Sequence, residues 1–121
     1  MDVKELRIYK NALDLLPRVY DLAKKLPRSE FDLRTQLCRS AKSISAQIAE
    51  GFAKKSSQIE FKRFLFIALG SSDETITHLR QIEILVPVLS GTAGKLISEY
   101  ISESKQINSL IQKIRNPISE V

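Results

Sequence analysis

Few side chains in this sequence are able to do chemistry. His78 is the only histidine and Cys38 the only cysteine. A di-iron centre in a helical bundle draws Glu-x-x-His pairs from two helices, but Thr75 stands three residues before His78 and there is no second histidine. A zinc site fails on the same ligand count. His78 is also the only imidazole able to activate a Ser or Cys nucleophile. Cys38, however, falls beside an apolar stripe in another segment, where a small packed residue is the simpler role. His78 is expected at the surface or at a subunit contact. No Arg precedes it at the short spacing that a HEPN-type helical ribonuclease requires. Glu50 and Glu74 have the right groups for acid/base work, yet both have basic neighbours. The expectation is a structural ion network of Glu50, Arg63 and Glu74, with Glu50 meeting Arg63 across a short turn. A Gly-rich phosphate loop, a Gly-x-Ser-x-Gly turn and a Cys-x-x-Cys pair are all missing. No enzymatic activity, cofactor or metal is expected.

Charge is the more informative chemistry. The 121 residues carry 19 Lys/Arg and 14 Asp/Glu, a net +5. The excess lies in residues 1–63, which are net +6, while residues 64–121 are net −1. Arg34, Arg39, Lys42, Lys54, Lys55, Lys62 and Arg63 fall within one stretch opposed only by Glu50 and Glu60. Lys24, Lys25 and Arg28 add a further basic group around the first turn. Clustered cations bind polyanions by releasing condensed counterions; an ordinary solvated face that aids solubility has the same composition. No aromatic residue is interleaved with this basic face by spacing, so a backbone-led contact without base stacking is expected.

Four helical segments must position these residues. The first spans about Val3–Leu26, with Ile8, Ala12, Leu15, Leu16, Val19, Leu22, Ala23 and Leu26 at steps of three and four. Pro17 removes one backbone donor within it, which predicts a kink or local loosening, and Pro27 ends it. The second spans about Asp32–Phe52, its stripe formed by Leu33, Leu37, Ala41, Ile44, Ile48 and Phe52, with Arg39 and Lys42 opposite and Gly51 as a cap. The third starts at Ser57, where Ser57 and Glu60 form a capping box, and stops at Leu85 before Val86-Pro87. The fourth spans about Thr92–Ile114, capped by Ser90 or Thr92 and closed by Asn116-Pro117, with Leu96, Ile97, Tyr100, Ile101, Ile107, Leu110, Ile111 and Ile114 as its stripe. Only short connections, about Pro27–Phe31, Ala53–Ser56 and Val86–Gly91, separate these long helices, so neighbours must run antiparallel. The fold expected is one all-α domain over residues 1–121, an up-down-up-down four-helix bundle.

Phe64–Leu69 is apolar for six consecutive residues. Such a run covers most of a helix circumference, so burial on more than one side is expected. The simplest second partner is another copy of this chain, with Phe64, Phe66 and Leu69 as contacts. The alternative is that the run lies deep in the bundle centre. Gly70-Ser71 in mid-helix suggests close approach of another helix. The longest uncharged window, Ile84–Gly94, has 11 residues and is too short to span a bilayer. With no basic-then-apolar leader and a lone cysteine, the chain is expected to be cytoplasmic, with no membrane partner.

The stretch Arg39-Ser40-Ala41-Lys42-Ser43-Ile44-Ser45-Ala46-Gln47-Ile48-Ala49-Glu50-Gly51-Phe52 is followed by Glu60-Phe61-Lys62-Arg63-Phe64-Leu65-Phe66-Ile67-Ala68-Leu69-Gly70-Ser71 and then Glu74. Together with Ile8-Tyr9-Lys10-Asn11-Ala12 and the Tyr20–Pro27 segment, this resembles the four-helix proteins encoded in intervening sequences of bacterial 23S rRNA genes, also called S23 ribosomal proteins. Ser45 and Gln47 stand where that family has Pro and Asn, and Phe52-Ala53-Lys54-Lys55 replaces its Gly-x-x-Arg. The resemblance implies a homo-oligomer, a ring of five in relatives. It also implies kinship with the accessory protein of diversity-generating retroelements, a basic pentameric barrel that binds nucleic acid and a reverse transcriptase. Two expectations follow: a non-enzymatic oligomer whose basic first half binds RNA or DNA backbone, or a scaffold module that binds no nucleic acid.

Overall fold

Each apolar stripe closes on the next. In the computed structural model, which describes residues 2–114, α1 spans Arg7–Lys24, α2 Phe31–Ala53, α3 Gln58–Leu85 and α4 Ser90–Lys113. Each helix packs against its neighbour in the chain and α1 closes on α4, as an up-down bundle requires. Every stripe residue of α2 is buried, and Leu37, Ala41, Ile44 and Ile48 are fully so. On α1 and the turn after it, Ile8, Ala12, Leu15, Val19, Leu22, Ala23 and Leu26 are buried, while Leu16 packs on the margin. On α4, Leu96, Ile97, Tyr100, Ile107 and Ile111 are core residues, with Ile101, Leu110 and Ile114 at its edge.

The helix ends differ from the sequence expectation in instructive ways. A short 3-10 turn at Val3–Glu5, capped by the Asp2 carboxylate accepting from Lys4 N at 3.0 Å, precedes α1. α1 runs unbroken through Pro17; Pro17 and Leu13 lie on the exposed side, where the backbone group that loses its partner is open to solvent. Gly51 is not a cap. It lies inside α2, buried, and a Cβ there would sit 2.9 Å from Phe64 Cβ and 3.2 Å from the Phe61 carbonyl oxygen. Its missing side chain lets the first turns of α3 fold back onto α2.

Ser57 caps α3 by accepting from Glu60 N at 3.3 Å. The reciprocal half of the capping box does not form, because the Glu60 carboxylate turns to Arg63 and Ser57 N donates to Lys54 O. Neither Ser90 nor Thr92 caps α4: Pro87–Leu89 forms a 3-10 turn that leads directly into Ser90, so the cap position falls on Leu89. Asn116-Pro117 lies outside the described residues.

α3 settles the question of its surplus apolar surface within one chain. Leu65 and Ala68 are fully buried, whereas Phe66 is 52% and Ile67 40% exposed. The run is therefore not deep in the bundle centre. Ile59, Ile84 and Leu85 are also exposed on this helix, and 100° spacing places Ile59, Phe66 and Ile84 on one outward line. Gly70 lies on that line with open space around it, so no helix among the described residues approaches it; of the pair, Ser71 makes the close contact, 2.9 Å from Ser43 Oγ.

A hydroxyl seam joins the inner helices. Thr75 Oγ1 lies 2.9 Å from Ser40 Oγ, Ser72 Oγ donates to the Tyr100 carbonyl at 3.3 Å, and Ser104 Oγ lies 2.8 Å from both Ser72 Oγ and Asp73 Oδ1. These small polar groups satisfy one another and let α2, α3 and α4 approach closely.

Candidate nucleic-acid interface

The basic residues divide into two groups with different surroundings. The first lies along the outward face of α2. Phe31, Thr35, Cys38 and Lys42 follow one another at steps of three and four, and Arg34 lies three residues after Phe31 and four before Cys38, so one helix face presents them. With Arg39 they line a shallow groove of about 450 Å³. A second depression of about 410 Å³, lined by Leu26, Pro27, Arg28, Phe31 and Arg34, shares Phe31 and Arg34 with it. No carboxylate lines either one, and none of Arg28, Arg34, Arg39 and Lys42 forms an ion pair among the described residues. Cys38 packs half-buried at the groove floor, as expected of a small core-edge residue. Burial pushes its thiol up, against the pull of the Tyr20 hydroxyl and of the Arg34 and Lys42 charges.

The second group surrounds the α2–α3 turn and is already engaged. Lys54 pairs with Glu50 at 3.4 Å and lies 5.5 Å from the Phe64 ring centre. Lys55 sits 4.0 Å over Phe52. Arg63 holds Glu60 at 2.7 Å and stacks 4.4 Å over Phe64. Its guanidinium holds the Glu60 carboxyl below the usual range, and the carboxylate raises Arg63 in return. Lys62 is partly buried.

The expected Glu50–Arg63–Glu74 network is corrected by these pairings. Each acid finds a partner one turn away on its own helix: Glu50 takes Lys54, Arg63 takes Glu60, and Glu74 lies 3.6 Å from His78 Nε2. Same-helix neighbours at three or four residues need no loop to hold their register. His78 also sits 2.9 Å from Gln81 Oε1 through Nδ1, so both ring nitrogens face side chains of α3. No group of three or more His, Cys, Asp or Glu able to hold a metal occurs among the described residues.

The three expected oligomer contacts also separate. Phe64 is covered within the chain by Lys54, Arg63 and the Gly51 backbone, and Leu69 packs against the core. Only Phe66 offers a free ring.

Glu103 was not singled out by spacing or charge. It is 1% exposed, and neither carboxylate oxygen has a hydrogen-bond partner among the described residues. Burial raises its carboxyl to about 8, with Asn11 of α1 pulling the other way. Burial and the neighbouring Glu103 also raise the Tyr100 hydroxyl, which is itself unpartnered. The signal was its phase: Glu103 falls between Tyr100 and Ile107 on the buried stripe of α4. It belongs to the bundle interior, not to the basic groove.

The fold and this surface define a small antiparallel four-helix bundle with a basic groove on α2. Residues 4–114 match the model of the family described as 23S rRNA-intervening sequence protein, and the chain belongs to that family. Among solved structures it is similar to a protein of unknown function from the S23 ribosomal protein family of Bacteroides thetaiotaomicron VPI-5482. The two are 25% identical, with a TM-score of 0.78 over 86% of this chain and 97% of that one. Comparison with curated proteins gives no match. No helix among the described residues is long and apolar enough to cross a membrane.

Proposed function

We propose that this chain is a non-enzymatic, self-associating bundle that binds the backbone of RNA or DNA through the α2 groove. The observation that carries this reading is the division of the cations. Arg34, Arg39 and Lys42, joined by Arg28, line a carboxylate-free surface without ion-pair partners, whereas Lys54, Lys55 and Arg63 are spent on aromatic rings and acids. Unpaired cations keep their full value for phosphate. Arg34, Arg39 and Lys42 therefore carry the contact, and the turn group is secondary. Binding to a structured RNA across a salt series tests it: affinity should fall steeply as salt rises, and a flat plot of log K against log salt refutes it.

Self-association is supported by the outward line Ile59, Phe66 and Ile84 on α3. Single exposed apolar residues are ordinary, and it is their alignment on one face of α3 that favours a partner there. The resemblance to ring-forming relatives favours a homopentamer, and that to retroelement accessory proteins makes a reverse transcriptase a candidate partner. The lone thiol suits the reducing cytoplasm. Light scattering decides the assembly, and a clean monomer refutes it. A module that assembles through α3 yet binds no nucleic acid is the outcome if the salt series is flat and the oligomer persists.

A further inference from the structure

Phe31 is 66% exposed, although it is a phenylalanine at the start of a core helix. It lies at the junction of the two basic depressions, with Arg28 and Arg34 in one and Arg34, Arg39 and Lys42 in the other. The expectation of no aromatic on the basic face is corrected: Phe31 stands one turn before Arg34 and Thr35 on the same face of α2, and Arg28 lines the depression beside it. At the α2–α3 turn the rings of Phe52 and Phe64 each carry a cation, and the exposed Phe66 ring on α3 lies outside the basic groove. None of the cations around Phe31 is stacked on it among the described residues. A free ring framed by unpaired cations matches a ligand that alternates flat faces with phosphates.

We infer that Phe31 is a stacking platform for an unpaired base, and that the α2 groove takes single-stranded nucleic acid in preference to a duplex. The inference rests on the backbone-binding reading above and adds to it the form of the strand. In a duplex the base faces are covered by their neighbours, so an exposed ring meets a base only where the strand is unpaired. Reach agrees: at about 1.5 Å per residue, Lys42 lies about 16 Å along the helix from Phe31, the span of about five nucleotides at helical spacing. A row of cations over that length suits a strand better than a lone nucleotide. Stacking carries little sequence information, since every base has such a face.

Fluorescence anisotropy with labelled oligo(dT) of about 20 nucleotides, an abasic strand of the same length and a duplex tests this. The wild-type chain should bind oligo(dT) about tenfold or more tightly than the abasic strand. Phe31→Ala should erase that difference while leaving abasic binding unchanged; Phe31→Tyr should keep it. Phe31→Trp introduces the only tryptophan, since the sequence has none. Its emission should be quenched by oligo(dT) and not by the abasic strand, which keeps the test valid even if Phe31→Ala folds poorly. Equal wild-type binding of the two strands, tighter binding of the duplex, or Phe31→Ala weakening both strands alike would overturn the stacking role and leave backbone binding standing. A change of oligomeric size in Phe31→Ala would reassign the ring to a subunit contact and overturn it too. Failure to bind any of the three nucleic acids would remove backbone binding itself.

Discussion

Glu103→Gln should make this protein more stable at alkaline pH and flatten its dependence on pH. The Glu103 carboxyl is 1% exposed without a hydrogen-bond partner among the described residues, and burial raises it from about 4.5 to about 8. On α1 it faces Asn11; on its own helix Tyr100 is next to it. The nearby cation, Arg18, pairs with Glu99 at 3.8 Å, and Asp73 of α3 is held by Ser104. No cation pairs with the carboxylate among the described residues. The folded state therefore binds the proton more tightly than the unfolded chain. Its favourable contribution is complete below about pH 4, erodes from there upward, and is gone above the folded value. Each pH unit within that window costs about 1.4 kcal/mol. From pH 5.5 to 7.5 the loss is about 2–3 kcal/mol, or about 6–15 °C in Tm for a domain of this size. The amide has nearly the same shape and no charge. Thermal unfolding followed by far-UV circular dichroism from pH 5 to 8.5 reads the effect. Every other titrating group is common to both proteins, so the difference in slope isolates Glu103. The two should be close at pH 5 and diverge with Glu103→Gln ahead by about 2–4 kcal/mol at pH 8. Equal slopes, or a less stable variant at pH 8, would refute the unpaired buried carboxyl.

The two mid-helix glycines should respond in opposite directions. Gly51→Ala drives a Cβ to 2.9 Å from Phe64 Cβ and should lower stability by about 1–3 kcal/mol in denaturant melts. Gly70→Ala has open space and should raise it by about 0.5–1 kcal/mol through helix propensity. Phe66→Glu, at a half-exposed position, should shift the oligomer toward smaller species in light scattering while the melting of the fold changes little.

Apolar periodicity made the architecture legible, because a stripe at steps of three and four reports which face is buried whatever it meets. Leu33 through Phe52 and the core of α4 follow that pattern residue by residue. Features that depend on what a side chain meets were not legible. Gly51 read as a helix end because glycine is common there; only the approach of Phe61 and Phe64 from α3 shows why it lies inside. Glu103 was in phase with its stripe, but a carboxylate is ordinarily assigned to water, and burial emerges only when α1 closes over α4. Spacing sets Arg63 across the short turn from Glu50, but a nearer acid, Glu60, stands three residues back on the same helix and takes it. The basic stretch was visible as charge, yet its division into engaged and free cations depends on Phe52, Phe64 and Glu60 lying where they do. Phe31 is in phase with Thr35, Cys38 and Lys42, but it stands one residue before the expected helix start at Asp32, so its place on the basic face shows only once α2 begins there.

The most direct measurement compares the wild-type chain with Arg34→Gln/Arg39→Gln/Lys42→Gln in binding a labelled single strand from low to moderate salt. With four free cations on the groove, log K should fall against log salt with a slope of about −3 for the wild type. Removing three of them should bring the slope to about −1, with affinity greatly reduced at low salt. An unchanged slope in the triple variant, or no salt dependence in the wild type, would contradict the assignment of the α2 groove to nucleic-acid backbone.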